Sequence, residues 1–131
     1  MGSFSDFWEN KVLDHLFGKA NYTPPTIYVA LSTANPAEDG SGMAEPSGNG
    51  YERKVTAPAD WTASSGGALS NANELAFPEA TGDWGTITHF ALYDALTGGN
   101  FLGYGTLSQS KIVGNGDVVK FAVGDLDVTQ N

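Results

Sequence analysis

The sequence has 131 residues, of which 17 are glycine and 16% are charged, and its formal net charge is −9. Its six basic residues are scattered, which excludes nucleic acid as an expected partner, because binding to phosphates requires a clustered basic patch. The lack of cysteine excludes disulfides and thiolate chemistry, and no apolar run approaches the roughly 18 residues of a membrane span. We expect one domain, 1–131, rich in short strands and tight turns, with no membrane partner.

The first element in chain order is a helix, predicted over about 4–17. Ser3 and Asp6 have the spacing of a capping box, and Gly18 follows the last apolar residue. A short helix on a small β domain needs one apolar face, whereas this helix is apolar on more than one side. We therefore predict an assembly interface formed by Phe4, Phe7, Trp8, Val12, Leu16 and Phe17. The alternative is that the extra aromatic side chains only cap one end of the domain.

The middle of the chain predicts short strands around a long loop. A strand is expected at 26–32, with Ile27, Val29 and Leu31 directed inward. Residues 33–50 have few sizeable apolar side chains to offset the entropy of ordering, so we expect a mobile surface loop. Weaker strand patterns lie at 51–57, 61–63, 67–71 and 73–77.

The strongest strand pattern spans 84–123. Its alternation places Ile87 and Phe90 on opposite faces. Glycines in the segment 97–100 fit a hairpin, and Asn115-Gly116 predicts a two-residue turn between two further strands, which gives a four-stranded antiparallel meander. With about eight short strands in all, the chain is predicted to be mainly β. We expect an antiparallel β-sandwich or jelly-roll-like barrel over about 26–129 with one N-terminal α-helix.

The polar side chains do not form a pattern typical of catalysis. His15 and His89 have no partner at metal-ligand spacing, and no Gly-x-Ser-x-Gly sequence marks a nucleophile. The acidic pairs fit solvated charge better than a calcium site. We therefore expect a protein that is not an enzyme, with no catalytic residue, no metal and no cofactor.

Exposed aromatic rings offer a different kind of site, a platform on which a sugar could stack. The candidates for such a ligand-stacking site are Tyr51, Trp61 and Trp84. Core packing explains the same rings without a ligand, and one sequence does not show which rings face water.

Several segments carry a resemblance to a known family. They include WENKVLDHLFGKANYTPPTIYVALSTANP near the start, ELAFPEATGDWGTITHFALYDALTGGNFLGYGTL in the middle and NGDVVKFAVGDLDVT near the end. The chain resembles small structural proteins of tailed bacteriophages, often labelled tail-fibre or minor tail proteins. The segment ITHFALYDALTGGNFLGYGTL is also similar to the baseplate-attachment region of longer phage tail fibres.

The resemblance implies a virion component, assembled in the host cytoplasm, that has no catalytic residues and acts in symmetric copies. We interpret the chain as tail-associated, either a fibre or baseplate adaptor or a minor tail protein. Its expected partners are tail, baseplate or capsid subunits and further copies of itself, with a trimer favoured. Two alternatives stay open: a capsid decoration or cement protein that stabilises the head, and a carbohydrate-binding module that recognises the host surface.

Overall fold

The computed structural model describes residues 2–130, where one α-helix near the N-terminus accompanies nine β-strands. The elements are, in chain order, β1 (Gly2–Phe4), α1 (Asp6–Leu16), β2 (Tyr28–Ser32), β3 (Lys54–Val55), β4 (Ala68–Ser70), β5 (Leu75–Ala76), β6 (Gly85–Tyr93), β7 (Phe101–Val113), β8 (Lys120–Phe121) and β9 (Asp127–Thr129). A 3₁₀ turn, Pro58–Asp60, lies between β3 and β4. The predicted class, mainly β and antiparallel with one N-terminal helix, is confirmed. Within the described range, no helix is long and apolar enough to span a bilayer.

Seven strands form one curled sheet in the order β3-β2-β6-β7-β1-β9-β4, and β5 pairs separately with β8. Paired strands run antiparallel except β1 and β9, which are parallel. The two ends of the sheet approach each other, since Thr56 beyond β3 and Leu69 in β4 line the same cavity. The indole nitrogen of Trp61 donates a hydrogen bond to Thr56 Oγ1 across this gap, at 3.0 Å. The sheet is therefore an incompletely closed barrel around the core.

The largest fully buried apolar side chains of this core come from strands far apart in the chain. They are Phe90, Phe121, Leu31, Leu75, Ile87, Leu102, Leu126 and Val29. The inward direction predicted for Val29 and Leu31 is confirmed, and Ile27 packs against the same cluster from just before β2.

The helix starts later than the sequence pattern predicts. Phe4 lies in β1, where it is paired with Gly103, and the prediction that it is a helical residue is wrong. The N-cap is Ser5, whose hydroxyl oxygen accepts from the amide of Trp8, and not Ser3, which is paired with Tyr104 in β1. Pairing of β1 with β7 keeps the chain extended for two more residues, because strand hydrogen bonds compete with a local cap.

The hairpin between β6 and β7 is confirmed, but the predicted four-stranded meander is wrong. β7 is a single strand, and β8 pairs with β5 rather than folding back onto β7. The turn at Asn115-Gly116 is present, with the amide of Gly114 donating to Asp117 Oδ2 at 2.8 Å. However, Gly116 N donates to Ala80 O, and Ala80 N to Asp117 O. These bonds hold the outgoing chain against the segment before β6.

A β-bulge also overturns the predicted faces of β6. Ile87 is paired with Lys111, whereas His89 is paired with Thr106, so several residues of β7 lie opposite a single residue of β6. Thr88, between these two pairs, is not paired with a residue of β7, and this irregularity breaks the two-residue alternation of side chains along β6. As a result Ile87 and Phe90, predicted on opposite faces, are both buried in the same core.

Segment 33–50 contains no helix or strand, yet it is bonded to the sheet at several points. Ser32 Oγ accepts from the amides of Ala34 and Ala44, and Glu45 forms a salt bridge with Arg53. Gly40 lies so close to β7 that a Cβ placed there would be 3.2 Å from the side chain of Phe101. The mobility of this loop stays a prediction.

Candidate functional site

The first half of α1 is anchored to the domain. Phe4, Phe7 and Trp8, which we call the helix base, pack against the buried core. The rings of Phe4 and Trp8 are 4.7 Å apart. The indole nitrogen of Trp8 donates to the hydroxyl of Tyr22, 3.1 Å away. Three residues predicted as an assembly interface therefore belong largely to the domain's own packing.

The second half of α1 presents apolar side chains to solvent. Leu13, Leu16 and Phe17, which we call the helix tip, are 56%, 70% and 75% exposed. Their spacing places them on one side of the helix. Leu16 and Phe17 belong to the interface predicted from the sequence, whereas Leu13 does not. Val12 is half-buried.

Local hydrogen bonds fix the shape of the helix tip. Gly18 adopts φ +72°, a left-handed conformation that glycine tolerates at a helix end. The amide of Phe17 donates to Leu13 O at 3.0 Å. His15 Nδ1 accepts from the amide of Tyr22 at 3.2 Å, so the returning chain is bonded to the last turn. The apolar tip is thus held in one geometry.

Beside the helix base, a cavity of about 450 Å³ is open to solvent. We call it the end cavity, because it lies where the two ends of the curled sheet approach each other. Apolar side chains dominate its wall, namely Phe4, Trp8, Trp61, Leu69, Leu92 and Val128. Sequence patterns did not predict it, since its wall is assembled from parts of the chain that lie far apart in the sequence.

The three rings predicted as a sugar platform do not lie on one open surface. Trp84 is 5% exposed, and its ring meets that of Tyr51 edge-on at 5.2 Å. Tyr51 donates to Glu45 Oε2 and accepts from the amide of Leu31; burial and the bond to Glu45 raise its pKa above the usual 10.0. Of the three, Trp61 alone lines the end cavity. A platform made of all three rings is not formed.

A buried cation fixes the hairpin to segment 33–50. Arg53, 7% exposed, donates through Nε and Nη2 to Glu45 at 2.8 and 3.0 Å. Its Nη1 reaches the carbonyl oxygens of Ala95 and Gly98, each at 2.8 Å. The guanidinium also lies 3.8 Å from the centre of the Tyr93 ring. Four of the five N–H donors of Arg53 therefore bond within the chain, and these contacts are structural.

Three carboxylates converge at the N-terminus of α1. Oxygens of Asp6, Glu9 and Glu38 lie within 4.8 Å of one another. The pKa of Glu38 is raised above its ordinary value. The main cause is the negative charge of Glu9, and the next is a side-chain hydrogen bond with Asp6. Oxygen ligands of this kind are those that hard divalent cations prefer, but exposed acidic groups often cluster without one. The cluster is a site of repulsion in this fold.

Comparison with known proteins identifies the family to which these features belong. A protein-family model described as podophage GP4 fiber I protein gp80 matches residues 3–129. The chain belongs to this family. The resemblance to phage tail-fibre proteins seen in the sequence is thereby confirmed. No curated protein matches the chain.

The match to this phage fibre family covers nearly all of the described domain, including the helix base, the helix tip and every residue that lines the end cavity except Gln130. Both apolar surfaces are therefore parts of the fibre-family module and not of an appended segment. A fibre protein of a virion acts through contacts with other virion proteins. Surfaces able to make such contacts are the relevant candidates here.

Proposed function

We propose that this chain is a non-enzymatic structural protein of the phage virion, attached to the tail as a fibre or baseplate adaptor or as a minor tail protein. Membership of a phage fibre family supports the virion role. The proposal further places the docking contact at the helix tip. The observation that carries it is the exposure of Leu16 and Phe17, at 70% and 75%, on a helix end whose geometry is fixed.

The energetics of docking follow from burial. Removing a Leu or Phe side chain from water contributes roughly 1.5–3 kcal/mol, so the three tip residues can anchor one copy against a partner. The helix base keeps the tip at a defined angle, which lowers the entropy lost on docking. Several symmetric copies, with a trimer favoured, would multiply the effect through avidity.

This assignment narrows the interface predicted from the sequence. Phe4, Phe7 and Trp8 pack on the core and contribute by positioning α1. Trp8→Ala is therefore a poor test of docking, because it changes the folded domain as well. Leu16 and Phe17 can be changed with little effect on folding, since substitutions at exposed positions are usually within about 0.5 kcal/mol.

The test is incorporation into phage particles. Phage carrying Phe17→Ser should produce particles that lack this protein, as measured by mass spectrometry of purified virions. Ile112→Ser is the matched control, because Ile112 is 82% exposed and lies on β7 away from α1. Normal incorporation of the Phe17 variant would contradict docking through the helix tip.

A cryo-electron microscopy reconstruction of the same particles locates the protein. Density on the tail or baseplate, with α1 at a contact, is the expected result. Density on the head would instead indicate a capsid decoration or cement protein that uses the same apolar chemistry. Binding of the purified chain to host glycans, lost in Trp61→Ala, would indicate a carbohydrate-binding module.

A further inference from the structure

We propose that the helix tip of one copy inserts into the end cavity of a second copy, so that successive copies are linked head to tail. The inference rests on the proposed function, which makes the helix tip an assembly contact, and it names the partner of that contact. A contact between two different surfaces of the same chain closes into a ring when the rotation between copies permits it.

The cavity fits an apolar occupant. None of its lining residues carries a charge, and most of its wall consists of rings and aliphatic side chains. An ionic ligand would lose its hydration there without gaining a counter-charge. A cavity of roughly 150 Å³ holds a benzene-sized group, so 450 Å³ is room for the side chains of Leu16 and Phe17 together.

The tip of the same chain does not reach this cavity. Trp8 lines the cavity wall, and Phe17 follows it by nine positions, which is about 14 Å along a helix axis. The helix cannot swing back, because Trp8 is bonded to Tyr22 and packed against Phe4. Each copy thus carries an apolar projection and an apolar cavity that are separated from each other.

Charge favours a second copy as the occupant. Residues 10–20 contain Lys11, Lys19 and Asp14 and so have a formal charge of +1. The net charge of the whole chain is −9, so all other residues together carry −10. Within two positions of a cavity-lining residue the chain has one lysine, Lys54, against five acids, namely Asp6, Glu9, Asp60, Asp94 and Asp127. The positive charge at the end of α1 complements these acids, whereas most of the remaining chain carries the same sign as they do.

The experiment measures the molar mass of the purified full-length chain against concentration by sedimentation equilibrium. The wild-type chain should self-associate, and association through apolar side chains should persist at high salt, where the repulsion between copies of net charge −9 is screened. Phe17→Ser removes the most exposed side chain of the helix tip and should weaken association about ten- to a hundredfold. Ser64→Trp, at an exposed position of the cavity wall, should weaken it similarly by obstructing the cavity. Ile112→Ser and Ser110→Trp are the controls and should associate normally.

Mixing the Phe17→Ser and Ser64→Trp variants tests the pairing of tip and cavity most directly. Phe17→Ser keeps an intact cavity and Ser64→Trp keeps an intact tip, so together they should form dimers of one each and nothing larger. Tryptophan emission should shift to shorter wavelength in this mixture, because Trp8 and Trp61 line the cavity. Association of Ser64→Trp alone at wild-type strength would overturn the inference.

Failure of this inference is distinguishable from failure of the proposed function. A wild-type chain that stays monomeric at its highest soluble concentration overturns copy-to-copy docking. If Phe17→Ser is nevertheless missing from particles, the tip contacts a different virion protein and the proposed function stands. If Phe17→Ser enters particles normally, docking through the helix tip fails together with this inference, and only the role as a virion protein stands.

Discussion

The indole nitrogen of Trp8 donates a hydrogen bond to the hydroxyl oxygen of Tyr22, 3.1 Å away, across the base of α1. Tyr22 lies beyond the helix, on the chain that returns toward β2. The bond therefore ties the start of the helix to the segment that follows its end. It determines the direction in which the helix tip projects from the domain.

Tyr22→Phe removes this hydrogen bond and keeps the ring. We expect the free energy of unfolding to fall by about 1 kcal/mol, as measured by urea denaturation. Tyr28→Phe is the control, because in the described residues the Tyr28 hydroxyl has no hydrogen-bond partner, and it should leave stability unchanged. Equal stability of the Tyr22 variant and wild type would show that the bond does not hold the helix base.

Glu38→Gln should raise stability at neutral pH, because it removes repulsion from Glu9 and Asp6. The pKa of Glu38 is raised above its ordinary 4.5 by these neighbours, so the folded state binds a proton more readily than the unfolded state. The repulsion is complete above the folded pKa and is relieved as the pH falls through it. The advantage of Glu38→Gln should therefore disappear in acid.

Thermal unfolding of the wild type and of Glu38→Gln, measured from neutral to acidic pH, tests this pH dependence of the stability difference. Glu79→Gln, another exposed carboxylate, is the control and should show no such pH-dependent gain. An advantage of Glu38→Gln that persists unchanged at low pH would contradict the role of charge repulsion.

Arg53→Ala should destabilise the fold by about 3 kcal/mol, because it leaves a partly buried carboxylate on Glu45 without its cation. Arg53→Lys keeps the charge but not the paired bonds to Glu45 and the two carbonyl oxygens, so its loss should be intermediate. Lys54→Ala, at the next position, is expected to cost much less. Chemical denaturation ranks the three variants by their free energy of unfolding. An equal loss of stability for Arg53→Ala and Lys54→Ala would contradict the prediction.

Asn71→Ala should cost about 3 kcal/mol, because buried backbone groups lose their partners. Asn71 is 0% exposed, and its amide donates to Asn73 O and Ala122 O, both at 2.9 Å, while its oxygen accepts from Leu126 N. Asn73→Ala, at an exposed position, is the control with a smaller expected loss. Unfolding in urea compares the two, and similar losses would show that Asn71 is dispensable.

The candidate site was only partly predictable from the sequence. The surplus of apolar residues on the N-terminal helix indicated an interface, and Leu16 and Phe17 are indeed exposed. Periodicity alone could not separate them from Phe7 and Trp8, because burial depends on which residues of other strands lie beneath the helix. For the same reason Trp84 and Trp61 looked equivalent in the sequence, although one is in the core and the other lines the cavity.

Local interactions explain what the sequence by itself determined: the mainly β class, the N-terminal helix, strand β2 and the β6–β7 hairpin. Each depends on residues close together in the chain, such as the alternation in β2 or the glycines between β6 and β7. Tertiary structure alone decided that β8 pairs with β5, that a bulge turns both Ile87 and Phe90 inward, and that separated segments enclose the end cavity. Those outcomes depend on hydrogen bonds and packing between distant parts of the chain, which no local pattern records.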